Sequence, residues 1–129
     1  MGLGRTTRFA KLPPGARRVS VMLAGKAGIK ALAPPRDLFD DFVREKKHGA
    51  VEAFRRVNYR ERFAAHIRAR GMDALRALVA DAKTGDVYIM CMCPYDAPGR
   101  ACHTYALLDL ARELDPSLEL LPEPRPRRV

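Results

Sequence analysis

The chain has 129 residues and a formal net charge of +9, and 47% of its residues are hydrophobic. This length suits one domain with a real hydrophobic core and leaves little room for a second domain. The lack of a long apolar run or a signal peptide predicts a cytoplasmic protein with no membrane partner. Three cysteines are an odd number, which excludes a full disulfide framework. Gln is absent and Asn58 is the only Asn, a composition typical of thermophilic proteins and also of GC-rich genomes.

Positive charge is concentrated at the two ends of the chain. Residues 1–36 contain eight Lys or Arg and no acid, whereas residues 37–121 are close to neutral. Residues 122–129 add Arg125, Arg127 and Arg128. Because a positive field attracts phosphate, one hypothesis is a nucleic-acid-binding accessory protein that uses the basic N-terminal segment. No nucleic-acid-binding motif is present, however, and the same composition is typical of a solvated basic tail.

Strand-like and helix-like patterns alternate along the chain. Apolar and β-prone runs predict strands over residues 19–24, 86–92 and 118–121. Helical spacing of apolar residues predicts helices over residues 36–48, 50–70 (with a break near Val57), 72–83 and 102–114. Residues 1–17 and 122–129 are expected to be irregular or mobile tails. This order predicts a single α/β domain, with a small and mostly parallel sheet flanked by helices.

The most strongly apolar strand points to the place of a functional site. Residues 86–92 are continuously apolar after Asp86, which is typical of a central parallel strand that is buried on both faces. Ligands of such sheets bind beyond the carboxyl ends of the strands. The segment from Cys91 to His103 is therefore the predicted site.

Thiol chemistry is one interpretation of this segment. Cys102 is expected at the start of a helix, where the helix dipole and the unpaired amides favour a thiolate. His103 would add positive charge, and Cys93 is a second candidate because it leaves a buried strand for a loop that ends in Arg100. The candidate catalytic residues are Cys102, His103 and Cys93.

A small anionic molecule is the predicted ligand. Arg100 in the loop and Lys26 beyond the first predicted strand would hold its negative charge. Polar side chains of the loop would orient it. The candidate ligand-binding residues are Cys91, Tyr95, Asp96, Arg100 and Lys26.

Two further interpretations of the cysteines stay open. One is a structural zinc site, since Cys91 and Cys93 are two apart on a strand and point the same way, and Cys102 with His103 would complete a Cys₃His set. The other is a purely structural role, in which buried cysteines act as small hydrophobic residues. A further alternative under this interpretation, for a hyperthermophilic source, is a disulfide of Cys102 with Cys91 or Cys93.

Several segments between residues 31 and 114 together resemble a known family. They include the Leu-Ala-Pro segment that opens a helix, the Phe54–Tyr59 region and Gly85 followed by an apolar strand. The most specific part is Tyr88-Ile-Met-Cys91, then a loop, then Cys102-His103 at a helix start. The chain thus resembles the domain of unknown function 488, or YeaO-like, family.

This resemblance implies a small α/β fold with a pocket around Cys91, Cys102 and His103. The family typically has Glu two residues after the strand cysteine and Arg directly after the Cys-His pair. In this sequence those two positions are Cys93 and Thr104. The resemblance implies no particular reaction.

Overall fold

Four parallel strands form one sheet within residues 1–126, the part of the chain that this computed structural model describes. The strands are β1 (Gly2–Thr7), β2 (Arg17–Ser20), β3 (Val87–Cys91) and β4 (Glu119–Leu120), in the spatial order β2-β3-β1-β4. The predicted α/β domain with a small parallel sheet is confirmed. The strands expected over 86–92 and 118–121 are both present, and the one expected over 19–24 lies slightly earlier in the chain.

Strand β1 shows that the prediction of an irregular segment over residues 1–17 is wrong for residues 2–7. It lies in the middle of the sheet and pairs with β3 on one side and with β4 on the other. Its sequence has no alternating apolar pattern, because two of its six residues are glycines. At Gly2 a Cβ atom would collide with the carbonyl oxygen of Glu119, so the close approach of β4 requires a glycine there.

Residues 122–126 are irregular, as predicted, but they contact the body of the domain. Pro126 forms an isolated antiparallel bridge with Ala10, and the carboxylate of Glu123 reaches the buried Arg5. The last part of the predicted tail, including Arg127 and Arg128, lies outside the described residues.

Residues 1–126 contain five α-helices, four between β2 and β3 and one between β3 and β4. The helix between residues 50 and 70 is interrupted close to Val57, as predicted, because Asn58 adopts a left-handed backbone conformation with φ of 51°. No helix in the described part of the chain is long and apolar enough to cross a membrane. The helices are α1 (Arg36–Glu45), α2 (Ala50–Arg56), α3 (Tyr59–Arg70), α4 (Met72–Ala82) and α5 (His103–Leu114).

The main hydrophobic core lies between the sheet and the helices. Strand alternation places Leu3 and Ile89 on the same face, where they pack with Leu107 of α5. Each such fully buried side chain contributes about 1.5–3 kcal/mol to folding. The same alternation places Arg5 and Cys91 on this face, closer to the carboxyl ends of β1 and β3. The candidate site is therefore built at one end of the core.

Candidate functional site

Three cysteines meet where β3 ends and α5 begins. Cys91 is the last residue of β3, Cys93 lies two residues later, and Cys102 directly precedes α5. Their Sγ atoms all lie within 4.8 Å of one another, and those of Cys91 and Cys102 are 2.9 Å apart. All three are free thiols. The convergence of a strand end and a helix start, which the sequence predicts, brings these sulfurs together, and three such thiols can hold a metal ion.

The Cys102 sulfur receives several hydrogen bonds. The hydroxyl of Thr104 donates to Cys102 Sγ at 3.1 Å. Burial by itself would raise the pKa of the Cys102 thiol, but hydrogen bonds from Cys91, Cys93 and Thr104 outweigh it and hold this pKa well below the ordinary value. Negative charge in the cluster is therefore concentrated on Cys102.

The other two thiols keep their protons. The hydrogen bond to Cys102 is the largest cause that raises the pKa of Cys91, and burial acts in the same direction. Hydrogen bonds with Cys102 and Cys91, together with burial, raise the pKa of Cys93. Three adjacent buried thiols cannot all ionise, because each additional negative charge repels the first. Cys91 thus acts as an S–H donor toward Cys102 at 2.9 Å, and Cys93 Sγ also lies 4.0 Å from the carbonyl oxygen of Ala101, which can only accept.

A buried guanidinium lies beside the thiols. Arg5 of β1 is only 2% exposed, and its Nε donates to Thr104 Oγ1 at 2.8 Å. Its Nη2 donates to Cys91 Sγ at 3.6 Å. Burial opposes the charge of Arg5, but the neighbouring Cys102 and Cys91 and the carboxylate of Glu123 raise its pKa. The guanidinium therefore stays charged inside the domain.

Three other segments of the chain satisfy this buried charge. Arg5 Nη1 donates to Glu123 Oε2 at 2.6 Å, to the hydroxyl of Tyr105 at 3.1 Å and to the carbonyl oxygen of Pro94 at 3.3 Å. The other oxygen of Glu123 accepts a hydrogen bond from the backbone N–H of Asp96 at 3.2 Å. Since a buried charge is stable only when it is paired and hydrogen-bonded, Arg5 holds β1, the cysteine loop, α5 and the C-terminal segment together.

A cavity of about 240 Å³ opens onto the three cysteines and His103. Most of its wall is apolar, and helices α1, α2 and α3 supply its aromatic part. Phe54 and Tyr59 are stacked, with ring centroids 4.7 Å apart, and the edge of Phe42 meets the ring of Tyr59 at 5.4 Å. Arg36, at the start of α1, is the charged side chain that lines this cavity within the described part of the chain.

The loop after β2 forms another part of the cavity wall. The Nζ of Lys30 donates to the carbonyl oxygens of Met22, Leu23 and Ala24, at 3.0, 3.3 and 3.2 Å. All three of these loop residues line the cavity. Lys30 thus shapes the wall without facing the thiols.

His103 is neutral and has a defined tautomer. Its Nε2 lies 2.8 Å from the carbonyl oxygen of Val21, which can only accept, so Nε2 carries the hydrogen. Nδ1 therefore carries a lone pair and can only accept, and it lies 4.0 Å from Cys102 Sγ. Burial lowers the pKa of His103. The positive charge that the sequence analysis expected from His103 is supplied by Arg5 instead.

Four of the residues predicted to bind an anion do not line the cavity: Tyr95, Asp96, Arg100 and Lys26. Arg100 is exposed, and its guanidinium lies 4.6 Å from the centre of the Tyr105 ring and 3.7 Å from Asp109. Lys26 is exposed on the turn after β2. The strand ends and the loops do meet at this site, but none of these four side chains lies on the cavity wall.

Arg5, Tyr105 and Glu123 belong to the site, although the sequence analysis did not select them. Arg5 was counted among the basic residues of the N-terminal segment, and Glu123 falls in the predicted tail. One signal did exist in the sequence. The family that the chain resembles typically has an arginine at position 104, where this chain has a threonine. The structure places the guanidinium of Arg5 against that threonine.

The basic residues of the N-terminal segment are divided between the interior and the surface. Arg5 is buried with Glu123, whereas Arg17 is exposed and lies 3.8 Å from Asp81. Arg8 rests over the ring of Phe9, with its Cζ 5.6 Å from the ring centre. Nucleic-acid binding by this segment stays a prediction.

No family model matches the chain, and neither the curated proteins nor the solved structures give a significant match. Membership of the domain of unknown function 488 family therefore stays a prediction that rests on the segments quoted above. The function has to be argued from the site itself.

Proposed function

We propose that the protein works through a reactive thiolate at Cys102, which meets small molecules in the adjacent cavity. The observation that carries this proposal is a chain of hydrogen bonds from Arg5 Nε to Thr104 Oγ1 and from that hydroxyl to Cys102 Sγ, at 2.8 and 3.1 Å. The Thr104 hydroxyl directs its proton toward the sulfur while its oxygen accepts from the Arg5 guanidinium, and the S–H group of Cys91 is also directed toward the sulfur. Such an environment favours the nucleophilic form of a cysteine.

The cavity wall supports a ligand with an apolar body. Arg36, instead of Arg100 and Lys26, would hold the negative charge of the ligand, because it is the cation that lines the cavity in the described residues. A small organic anion would place its apolar part among the aromatic rings and its charge beside Arg36. The reduced thiols that this function requires fit the cytosol, the compartment that the sequence predicts.

Alkylation with iodoacetamide, followed by peptide mass spectrometry, tests this proposal. We expect Cys102 to be modified first, and Thr104→Val to slow its modification about tenfold because the sulfur loses a hydroxyl donor. Thr84→Val is the matched control, since Thr84 is exposed and its hydroxyl contacts only the Asp81 carbonyl. Equal modification of the three cysteines, or equal rates for the two variants, would contradict the proposal.

The three-sulfur cluster also favours a second candidate function, the binding of zinc. Tetrahedral zinc takes thiolate and imidazole ligands, and Cys91, Cys93 and Cys102 already lie within 4.8 Å of one another. His103 offers Nδ1 as a fourth donor while its Nε2–H is held by the Val21 carbonyl oxygen. Histidines that bind metals commonly have their second nitrogen oriented in this way.

Elemental analysis of the natively purified protein separates the two candidates. About one zinc per chain, lost in Cys102→Ser, supports the metal site, and the same cluster should then give thiolate charge-transfer bands with cobalt. Protein that is free of zinc and does not take it up at a stoichiometric concentration excludes this second function. The first candidate predicts that the metal-free chain retains the selective alkylation of Cys102.

A further inference from the structure

Cys91 is placed to form a disulfide with Cys102. Their Sγ atoms are 2.9 Å apart, although the residues are separated by 11 positions and lie at the end of β3 and the start of α5. A disulfide needs a separation of about 2.05 Å, which is within reach of small side-chain rotations. Cys93, which also touches this pair, is less buried than either partner.

The adjacent cavity is lined by both cysteines, which are otherwise only 2% and 3% exposed. Cys91 and Cys102 line it together with the aromatic side chains of Phe42, Phe54 and Tyr59. Its volume is about 240 Å³. A compact molecule with an apolar body of similar size fits against this aromatic wall and reaches the thiols with a polar end.

We propose that the protein reduces organic hydroperoxides, with Cys102 as the sulfur that attacks the peroxide and Cys91 as the thiol that then closes a disulfide. This inference rests on the proposed function, because it requires a reactive Cys102. It goes further in naming the substrate class and the second sulfur. Three features carry it: the pair of neighbouring sulfurs, the hydrogen bonds that hold Cys102, and the apolar cavity in front of them.

The chemistry has two balanced steps. The Cys102 thiolate attacks the terminal oxygen of the hydroperoxide, an S–O bond forms, the O–O bond breaks, and the leaving alkoxide takes a proton to become an alcohol. Cys102 is then a sulfenic acid. Cys91 attacks this sulfur, an S–S bond forms, and the hydroxyl leaves with the Cys91 proton as water. Two thiols and one hydroperoxide thus become one disulfide, one alcohol and one water, and an external dithiol regenerates the thiols.

Arg5 is a positioning residue for both steps. Through Thr104 it holds the Cys102 sulfur at the start of α5. Its Nη2 lies 3.6 Å from Cys91 Sγ, where negative charge develops when Cys91 gives up its proton. A cation at this distance stabilises the attacking sulfur in the second step.

A single-turnover experiment on the full-length, reduced and chelator-treated protein tests the inference. With one equivalent of cumene hydroperoxide and no reductant, we expect close to one equivalent of cumyl alcohol and a Cys91–Cys102 disulfide in the non-reduced peptide map. Cys91→Ser should stop after the first step and leave a sulfenic acid on Cys102, which dimedone traps. Cys102→Ser should lose the peroxide consumption. The alcohol yield and the disulfide map come from the unaltered chain, so they do not depend on whether a variant folds.

The apolar wall predicts a preference among peroxides. Cumene hydroperoxide should react at least about tenfold faster than hydrogen peroxide, which corresponds to about 1.4 kcal/mol of binding by the aromatic group. Equal rates would overturn the assignment to organic hydroperoxides. A disulfide that contains Cys93 instead of Cys91 would overturn the assignment of the second sulfur.

The outcomes also distinguish this inference from the proposed function. If iodoacetamide modifies Cys102 selectively but the hydroperoxide yields no disulfide, the inference is wrong and the proposed function stands. If neither reaction is selective, both are wrong. Selective alkylation together with a Cys91–Cys102 disulfide and stoichiometric alcohol supports both.

Discussion

Arg5 Nε donates a hydrogen bond of 2.8 Å to Thr104 Oγ1, although the two residues are 99 positions apart. The bond joins the central strand β1 to the first turn of α5. Through it, a charge near the N-terminus acts on the Cys102 sulfur, which accepts the next hydrogen bond in the chain. The stability of the domain and the state of the thiols therefore depend on the same side chain.

Replacing Arg5 should destabilise the domain strongly. Arg5→Met leaves the carboxylate of Glu123, which is 14% exposed, without its cation, and it removes the donor to Thr104. We expect a loss of about 3–5 kcal/mol in the free energy of unfolding, measured by urea denaturation. Arg17→Met is the control, because Arg17 is 64% exposed and its pair with Asp81 should contribute less than about 1 kcal/mol. Equal urea midpoints for the two variants would show that the Arg5 pair does not stabilise the fold.

The alkylation rate of Cys102 should depend weakly on pH. An ordinary thiol has a pKa of about 8.5, so below that pH its rate falls about tenfold for each unit. Because the pKa of Cys102 is held well below the ordinary value, the sulfur stays ionised and its rate should change little between about pH 8 and pH 7. Cys91 and Cys93, whose pKa values are raised, should stay unreactive in this range.

Peptide mass spectrometry after timed pulses of iodoacetamide gives the rate for each cysteine. A tenfold fall per pH unit at Cys102 would mean that its pKa is not lowered. The titratable and charged groups that face this sulfur are Cys91, Cys93, Arg5 and His103. None of them changes charge between pH 7 and pH 8, because the two thiols and His103 stay neutral and Arg5 stays charged.

Adding a methyl group at Gly2 should destabilise the sheet. The Cβ of Gly2→Ala would collide with the backbone oxygen of Glu119 in β4, and a backbone atom in a paired strand cannot move aside easily. We expect a cost of about 1–3 kcal/mol in the free energy of unfolding by urea. Gly85→Ala is the control, since no atom lies within 4 Å of its Cβ. If both variants unfold at the same urea concentration, the close pairing of β1 with β4 is not present in solution.

Arg36 should select for an anionic group at the cavity. We expect 3-phenylpropionate to bind more tightly than its uncharged amide, and Arg36→Met to weaken the acid about five- to tenfold without changing the amide. Ligand titration followed by protein NMR shifts measures both affinities. Arg44→Met is the control on the same helix, since Arg44 is engaged with Asp41. An acid that binds equally well to the Arg36 variant would contradict this role.

The sequence alone determined where the cysteines meet. The continuous apolar run of β3 indicates a buried strand, and the helical spacing after Cys102 indicates a helix that begins there. In a parallel sheet a strand end and the start of the following helix lie at the same edge, so Cys91, Cys93 and Cys102 had to be near one another. These are local patterns, which neighbouring residues in the chain suffice to specify.

Only the tertiary structure decided which groups surround the sulfurs. β1 lacks an apolar alternation, and its place in the sheet follows from close approaches that its glycines allow, so no local pattern identifies it. Arg5 reaches Glu123 across 118 positions, a contact that depends on the packing of β1, the loop and the C-terminal segment. The division of charge among the three thiols likewise arises from their mutual hydrogen bonds and burial, which exist only after the chain has folded.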